Sequence, residues 1–160
     1  MAAGFGVALR ARDPFRSLLA AGLTLTLGVL EISEDVQIDG DTNGDGDSST
    51  AAPGDWTGIY LYGYSSYDGV GEFDYCRIRY GGGAGETSAN IYYNTSDSGY
   101  FTHSISEESD IDGIRVANCS PLIADSTITN NSNDGLYASG SGAATVTGNV
   151  FTGNGRHGVF

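Results

Sequence analysis

The chain has 160 residues, room for one domain, and a 39% hydrophobic fraction that is enough for a core of ordinary size. Its formal charge of −13, with all seven basic residues Arg, repels phosphate backbones and argues against a nucleic-acid partner. Twenty-five Gly, with Ser, Thr, Asn and Asp filling most segments between apolar residues, favour many turns over long helices.

Residues 1–22 place Arg10, Arg12 and Arg16 ahead of Ser17-Leu18-Leu19-Ala20-Ala21-Gly22, which reads as a degenerate secretion signal or a disordered lead. The apolar run at 18–30 is too short to span a bilayer. Leu23-Thr24-Leu25-Thr26-Leu27 alternates with period two, as a half-buried strand does, and the alternation continues through Val36-Gln37-Ile38. A polar loop then runs from Asp39 to Gly54. Within it Asp41, Asn43, Asp45 and Asp47 have the spacing that opens an EF-hand loop, where alternate oxygens wrap Ca²⁺ around a Gly bend. The twelfth position is Ala52, so the bidentate Glu is missing. A Ca²⁺ site, with Asp39 or Asp55 as a substitute ligand, and a solvated acidic turn are both open.

Trp56-Thr57-Gly58-Ile59-Tyr60-Leu61-Tyr62 resumes a strand, and from there a repeat becomes visible. Asn90-Ile91, Gly113-Ile114, Gly135-Leu136 and Gly158-Val159 stand 23, 22 and 23 residues apart, a period that points to a solenoid. Gly58-Ile59 has the same form 32 residues before Asn90, the excess being an insertion at Gly63–Gly71. Three apolar columns follow: Phe73, Tyr100, Ile123 and Val146; Ile78, Ile105, Ile128 and Phe151; Ile91, Ile114, Leu136 and Val159. Three columns separated by polar corners describe a coil of three short strands, about four to five coils in all, with a second insertion at Tyr80–Glu86. His103 falls at an inward phase. Cys76 and Cys119 occupy different phases and read as two separate buried thiols.

The Gly-Ile-x-Val marker, the segment Asn118-Cys119-Ser120-Pro121-Leu122-Ile123, the segment Asp125-Ser126-Thr127-Ile128-Thr129-Asn130-Asn131-Ser132, and Gly148-Asn149-Val150-Phe151-Thr152-Gly153-Asn154-Gly155 resemble right-handed parallel β-helix repeats of the pectin-lyase-like superfamily. The segments Pro53–Ile59 and Cys76–Gly82 are similar to the opening coils of secreted bacterial members. The resemblance covers residues 23–160 and implies an all-β, right-handed parallel β-helix. It says little about activity, since that superfamily includes polysaccharide lyases, hydrolases, adhesins and structural repeats.

If the Ile59, Ile91, Ile114, Leu136 and Val159 column points inward, strand alternation turns Tyr60, Tyr92, Arg115, Tyr137 and Phe160 outward. Such a row is a platform for stacking sugar rings, with Arg115 available to a carboxylate or sulfate. The alternative is that Tyr and Phe simply favour strands. Catalytic residues are not assigned. Asp110 and Asp112 precede one repeat strand and Asp134 precedes the next, so a carboxylate cluster is conceivable, yet Asp is also a normal corner residue.

The leading expectation is a non-catalytic, extracellular or cell-surface module that presents a surface to polysaccharide or protein. The competing one is a polysaccharide lyase or glycoside hydrolase, or a fragment of one. The repeat stops inside a strand at Phe160, which leads us to expect either a longer chain or end-to-end self-association.

Overall fold

The computed structural model describes residues 50–160 apart from 65, 66, 84, 86 and 96–98, and before them the strand backbones at 7–10, 23–25, 28–33 and 36–38. There is no helix among the described residues. The sixteen strands are β1 (Val7–Arg10), β2 (Leu23–Leu25), β3 (Gly28–Ser33), β4 (Val36–Ile38), β5 (Ile59–Tyr64), β6 (Tyr67–Asp74), β7 (Cys76–Arg79), β8 (Ala89–Asn94), β9 (Tyr100–Thr102), β10 (Ile105–Glu107), β11 (Asp112–Ala117), β12 (Leu122–Ala124), β13 (Thr127–Thr129), β14 (Leu136–Ser139), β15 (Thr145–Thr147) and β16 (Val150–Thr152).

Every third strand pairs with its equivalent in the next coil, in parallel. This gives three faces: β2, β5, β8, β11 and β14 form the first, β1, β3, β6, β9, β12 and β15 the second, and β4, β7, β10, β13 and β16 the third. The expected insertion at Gly63–Gly71 is a hairpin in which Gly63 pairs with Asp68 and Tyr64 with Tyr67, antiparallel, so the first two faces join into one eleven-stranded sheet. The strands from β2 to β16 thus make five coils of a parallel β-helix, and Val159 bridges to Leu136 as the next begins.

Ile59, Ile91, Ile114 and Leu136 pair in register and are completely buried, forming one wall of a continuous core. No coil buries its own apolar edge; stacking does it. Val159, expected in this column, is exposed, as is Val146 of the second. The other two columns are also shifted in one coil relative to the sequence reading. Phe101, not Tyr100, pairs with Phe73 and Ile123, and Ser106, not Ile105, pairs with Ile78 and Ile128. Tyr100 and Ile105 are half-buried on the outer surface. The physical reason is that Ser106 is an inward polar residue with its needs met: it donates to the Gly113 carbonyl at 2.9 Å, and Asn90 Nδ2 donates to it at 3.1 Å. The same shift turns His103 outward, where it is exposed, and puts Ser104 inside.

Corners recur in rows as well. Tyr75, His103 and Asp125 share left-handed φ values of 50°, 46° and 49°, and Gly148 follows them with 67°. A left-handed backbone is costly for a non-Gly residue. It is offset here because corner N–H groups still bond to the next coil, as Tyr75 does to Thr102 and His103 to Ala124. Just past the corners, side chains from the next coil cap the turned backbone: buried Ser126 Oγ accepts from Ser104 N at 3.1 Å, buried Asn131 Oδ1 from Ser109 N at 3.0 Å, and half-buried Asn154 Oδ1 from Asn131 N at 3.1 Å.

Neither Cys76 nor Cys119 is in a disulfide, and both are buried. Burial pushes the Cys76 thiol up to about 12, so it should resist alkylation by iodoacetamide at neutral pH until the protein unfolds, which mass spectrometry with and without urea would show. Asn131→Ala should cost about 1–3 kcal/mol in urea unfolding, because it strands the buried Ser109 N–H.

Candidate functional site

The outer side of the first face carries the row expected from alternation. Tyr60 pairs with Tyr92, Tyr92 with Arg115, and Arg115 with Tyr137, while Phe160 exchanges backbone bonds with Leu136 and Ala138 on the last turn. The side chains form one unbroken stack. Tyr60 and Tyr92 lie 5.2 Å apart at 27°, the Arg115 guanidinium stands 5.5 Å from the Tyr92 ring and 4.8 Å from the Tyr137 ring, and Tyr137 and Phe160 lie 5.3 Å apart at 11°. Parallel coils bring equivalent residues to about 4.8 Å, close to ring-stacking distance, so the fold itself dictates the stack.

This geometry alters how a ligand would meet the row. Each face of Tyr92 and of Tyr137 already looks at a neighbour, Tyr60 or Arg115 in one case and Arg115 or Phe160 in the other. A sugar ring has no open face to stack on at these two residues. What the ridge offers outward is ring rims, which carry the positive edge of the π quadrupole, and guanidinium N–H groups. Both suit oxygen acceptors. Beside the ridge runs a second outward row, Tyr62, Asn94, Ala117 and Ser139, in which small residues make a lower floor next to the Arg115 and Tyr137 rungs. Asn94 Nδ2 donates to Tyr60 Oη at 2.7 Å and ties the two rows together.

Behind the ridge, at the position just before the Gly-apolar marker, lies a row of charge that the sequence reading found only in part. Asp112 and Asp134 stack in consecutive coils, 2% and 0% exposed, and His157 follows them. Asp112 Oδ1 accepts from Asp134 N at 3.1 Å and from Asn133 Nδ2 at 2.8 Å, and its Oδ2 lies 3.9 Å from Arg115 Nε. Asp134 Oδ1 accepts from His157 N at 3.1 Å and lies 2.8 Å from His157 Nδ1, while Oδ2 stands 3.8 Å from Arg156 Nη1. Asp110 is exposed and stays apart, near Gly54. The signal for His157 and Arg156 was available: His157 occupies the same repeat position as Asp112 and Asp134. The glycines of the marker also have a reason, since a Cβ on Gly113 would sit 2.6 Å from Asn131 Nδ2 and 2.7 Å from the Gly135 carbonyl.

The other histidine has a similar partner. His103 Nδ1 lies 2.8 Å from Asp74 Oδ1, which also accepts from Thr102 Oγ1 at 2.8 Å, and its ring stacks on exposed Tyr75 at 4.7 Å and 6°. This links two coils at a corner. Asp41, Asn43, Asp45 and Asp47 lie outside the described residues, and among the described residues no group of three or more His, Cys, Asp or Glu is placed to hold a metal ion. No helix among the described residues is long and apolar enough to cross a membrane.

Burial pushes the Asp112 carboxyl above its ordinary value of 3.8, against the lowering effect of its bonds to Asn133 and Asp134 and of Arg115. The folded protein therefore holds this proton more tightly than the unfolded chain does. Its contribution is most favourable below 3.8 and declines as pH rises through the raised folded value. Asp112→Asn keeps an oxygen for the Asp134 N–H and removes that decline. Relative to the wild type, its stability should improve from acid to neutral pH, as thermal melts across that range would show.

A family profile described as "Right handed beta helix region" matches residues 35–160. No curated protein and no solved structure matches the chain significantly. With the coils, the inward columns and this match over most of its length, the chain belongs to the right-handed β-helix family.

Proposed function

We propose that this β-helix is a non-catalytic binding module, working outside the cell or at its surface, whose first face holds an extended carbohydrate chain along the solenoid axis. One observation carries the reading: the continuous stack Tyr60, Tyr92, Arg115, Tyr137 and Phe160, with rungs about a coil rise apart. A polymer of linked pyranose rings advances by a similar step, so one sugar can meet one rung. Recognition runs through ring rims and guanidinium N–H groups to the hydroxyl and ring oxygens of the sugar, with the chain lying over the Ala117 and Ser139 floor. The extracellular setting is in keeping with the likeness to secreted bacterial β-helix proteins.

A lyase or hydrolase would draw its carboxylates from Asp112 and Asp134. Both are buried and engaged by backbone N–H groups of the next coil, which is the bonding of structural residues. The binding reading therefore has the better support.

Tyr92→Ala/Tyr137→Ala removes the two rungs that enclose Arg115. It should weaken binding to an oligosaccharide recognised by the wild type by about tenfold or more, given what buried aromatics contribute at interfaces. A glycan array followed by calorimetry on the best binder provides the measurement. Unchanged affinity in the double variant would remove the ridge from the site, and cleavage of any oligosaccharide in the panel would restore the enzymatic reading.

A further inference from the structure

Arg115 occupies two environments at once. Its guanidinium is held between Tyr92 and Tyr137 on the ligand face, and among the described residues its Nε is the nearest cationic group to the buried Asp112 carboxylate, at 3.9 Å. The other charges around Asp112 do not replace it. Asp134, on the coil above, is itself a carboxylate, and the Arg156 guanidinium and the His157 ring lie against Asp134. Asp110, two residues earlier in the chain, is exposed and lies against Gly54. From the coil below, β8 brings Ala89 beside Asp112, and the Ser88 carbonyl accepts from the Asp112 N–H; neither residue is charged.

We propose that the ridge takes an anionic ligand, a sulfated or carboxylated glycan, and that binding at Arg115 is coupled to uptake of one proton by Asp112. The inference rests on the binding reading above. An anion on the outward N–H groups neutralises the charge that supports the Asp112 carboxylate and adds a negative charge nearby, so the carboxylate takes a proton from solvent onto Oδ2. No other bond forms or breaks. Linkage makes the effect reciprocal: protonating Asp112 first releases Arg115 from its internal partner and strengthens its hold on the anion. The unliganded protein is already prepared for this, because burial has raised the proton affinity of Asp112.

The test uses a sulfated galactose oligosaccharide, whose charge is constant through the pH range, and its desulfated form. Calorimetry at pH 7 and pH 5, in two buffers of different ionisation enthalpy, gives both affinity and protons taken up. The sulfated ligand should bind about fivefold or more tightly at the lower pH, the low end of ordinary coupling between sites, with net proton uptake. Asp112→Asn, checked for folding by circular dichroism, should lose both effects. His157→Gln should retain them, which separates the Asp112 carboxyl from the imidazole that lies against Asp134. Sulfated ligand bound without proton uptake, or equal pH dependence in Asp112→Asn, overturns the coupling and leaves the carbohydrate face standing. Equal affinity for the desulfated form overturns the anionic ligand alone. Binding of neither form, nor of any glycan on the array, removes the face and the coupling together.

Discussion

Parallel pairing between equivalent residues of successive coils is the constraint on which the rest of this molecule depends. Once Ile59, Ile91, Ile114 and Leu136 are in register, the positions that follow them along the same strands are in register too. A residue type repeated at the coil period becomes a row about 4.8 Å per step, whatever its chemistry. Apolar rows become walls of the core, Ser and Asn rows become caps for turned backbone, aromatic rows become stacks and Asp rows become buried charge. Any function of such a chain is therefore written as rows, and a site is a place where rows of different chemistry lie side by side.

The corners show what holds the register. A left-handed turn at Tyr75, His103 or Asp125 would be unfavourable in isolation, yet each such residue still bonds to the coil above through its own N–H. The next residue is then held by a side chain from above, as Ser104 is by Ser126 and Ser126 by Asn149. Backbone strain and side-chain capping are thus shared between neighbouring coils, and a single coil removed from the stack would keep the first and lose the second.

Much of this was legible in the sequence because apolar residues rarely recur at a fixed period unless stacked repeats bury them together. The inward column on the first face and the outward row beside it both followed from alternation, and the structure has the column as read from Ile59 to Leu136, with Val159 exposed. The reading failed in the coil of Tyr100 and Ile105 for a definite cause. Apolar periodicity assumes that inward means apolar, whereas Ser106 faces inward and is satisfied by Asn90 and Gly113, so the apolar neighbours one step earlier looked like the column. The buried charge was half visible, with Asp112 and Asp134 noticed as corner residues. Its burial was not, because nothing local distinguishes an Asp capped by the next coil from one in water. His157, of different chemistry at the same repeat position, hid the third member of the row.

Comparison of the two buried carboxylates shows why one rung of an otherwise aromatic ridge is an arginine. Asp134 has its partners on the coil above, in the Arg156 guanidinium and the His157 ring, so the ridge position of its own strand can be Tyr137. The residue above Asp112 is Asp134, another carboxylate, so that position gives a backbone N–H, and Asn133 beside it an amide, but neither brings a positive charge. The positive charge must come from its own strand, and three residues along, Arg115 is the outward position that reaches back to it. The guanidinium is planar and accepts aromatic neighbours on both faces, so it fills the rung without interrupting the stack, which a lysine would not do. The arginine in the ridge thus follows from the arrangement of buried charge behind it, and an anion bound there would act on that charge as well.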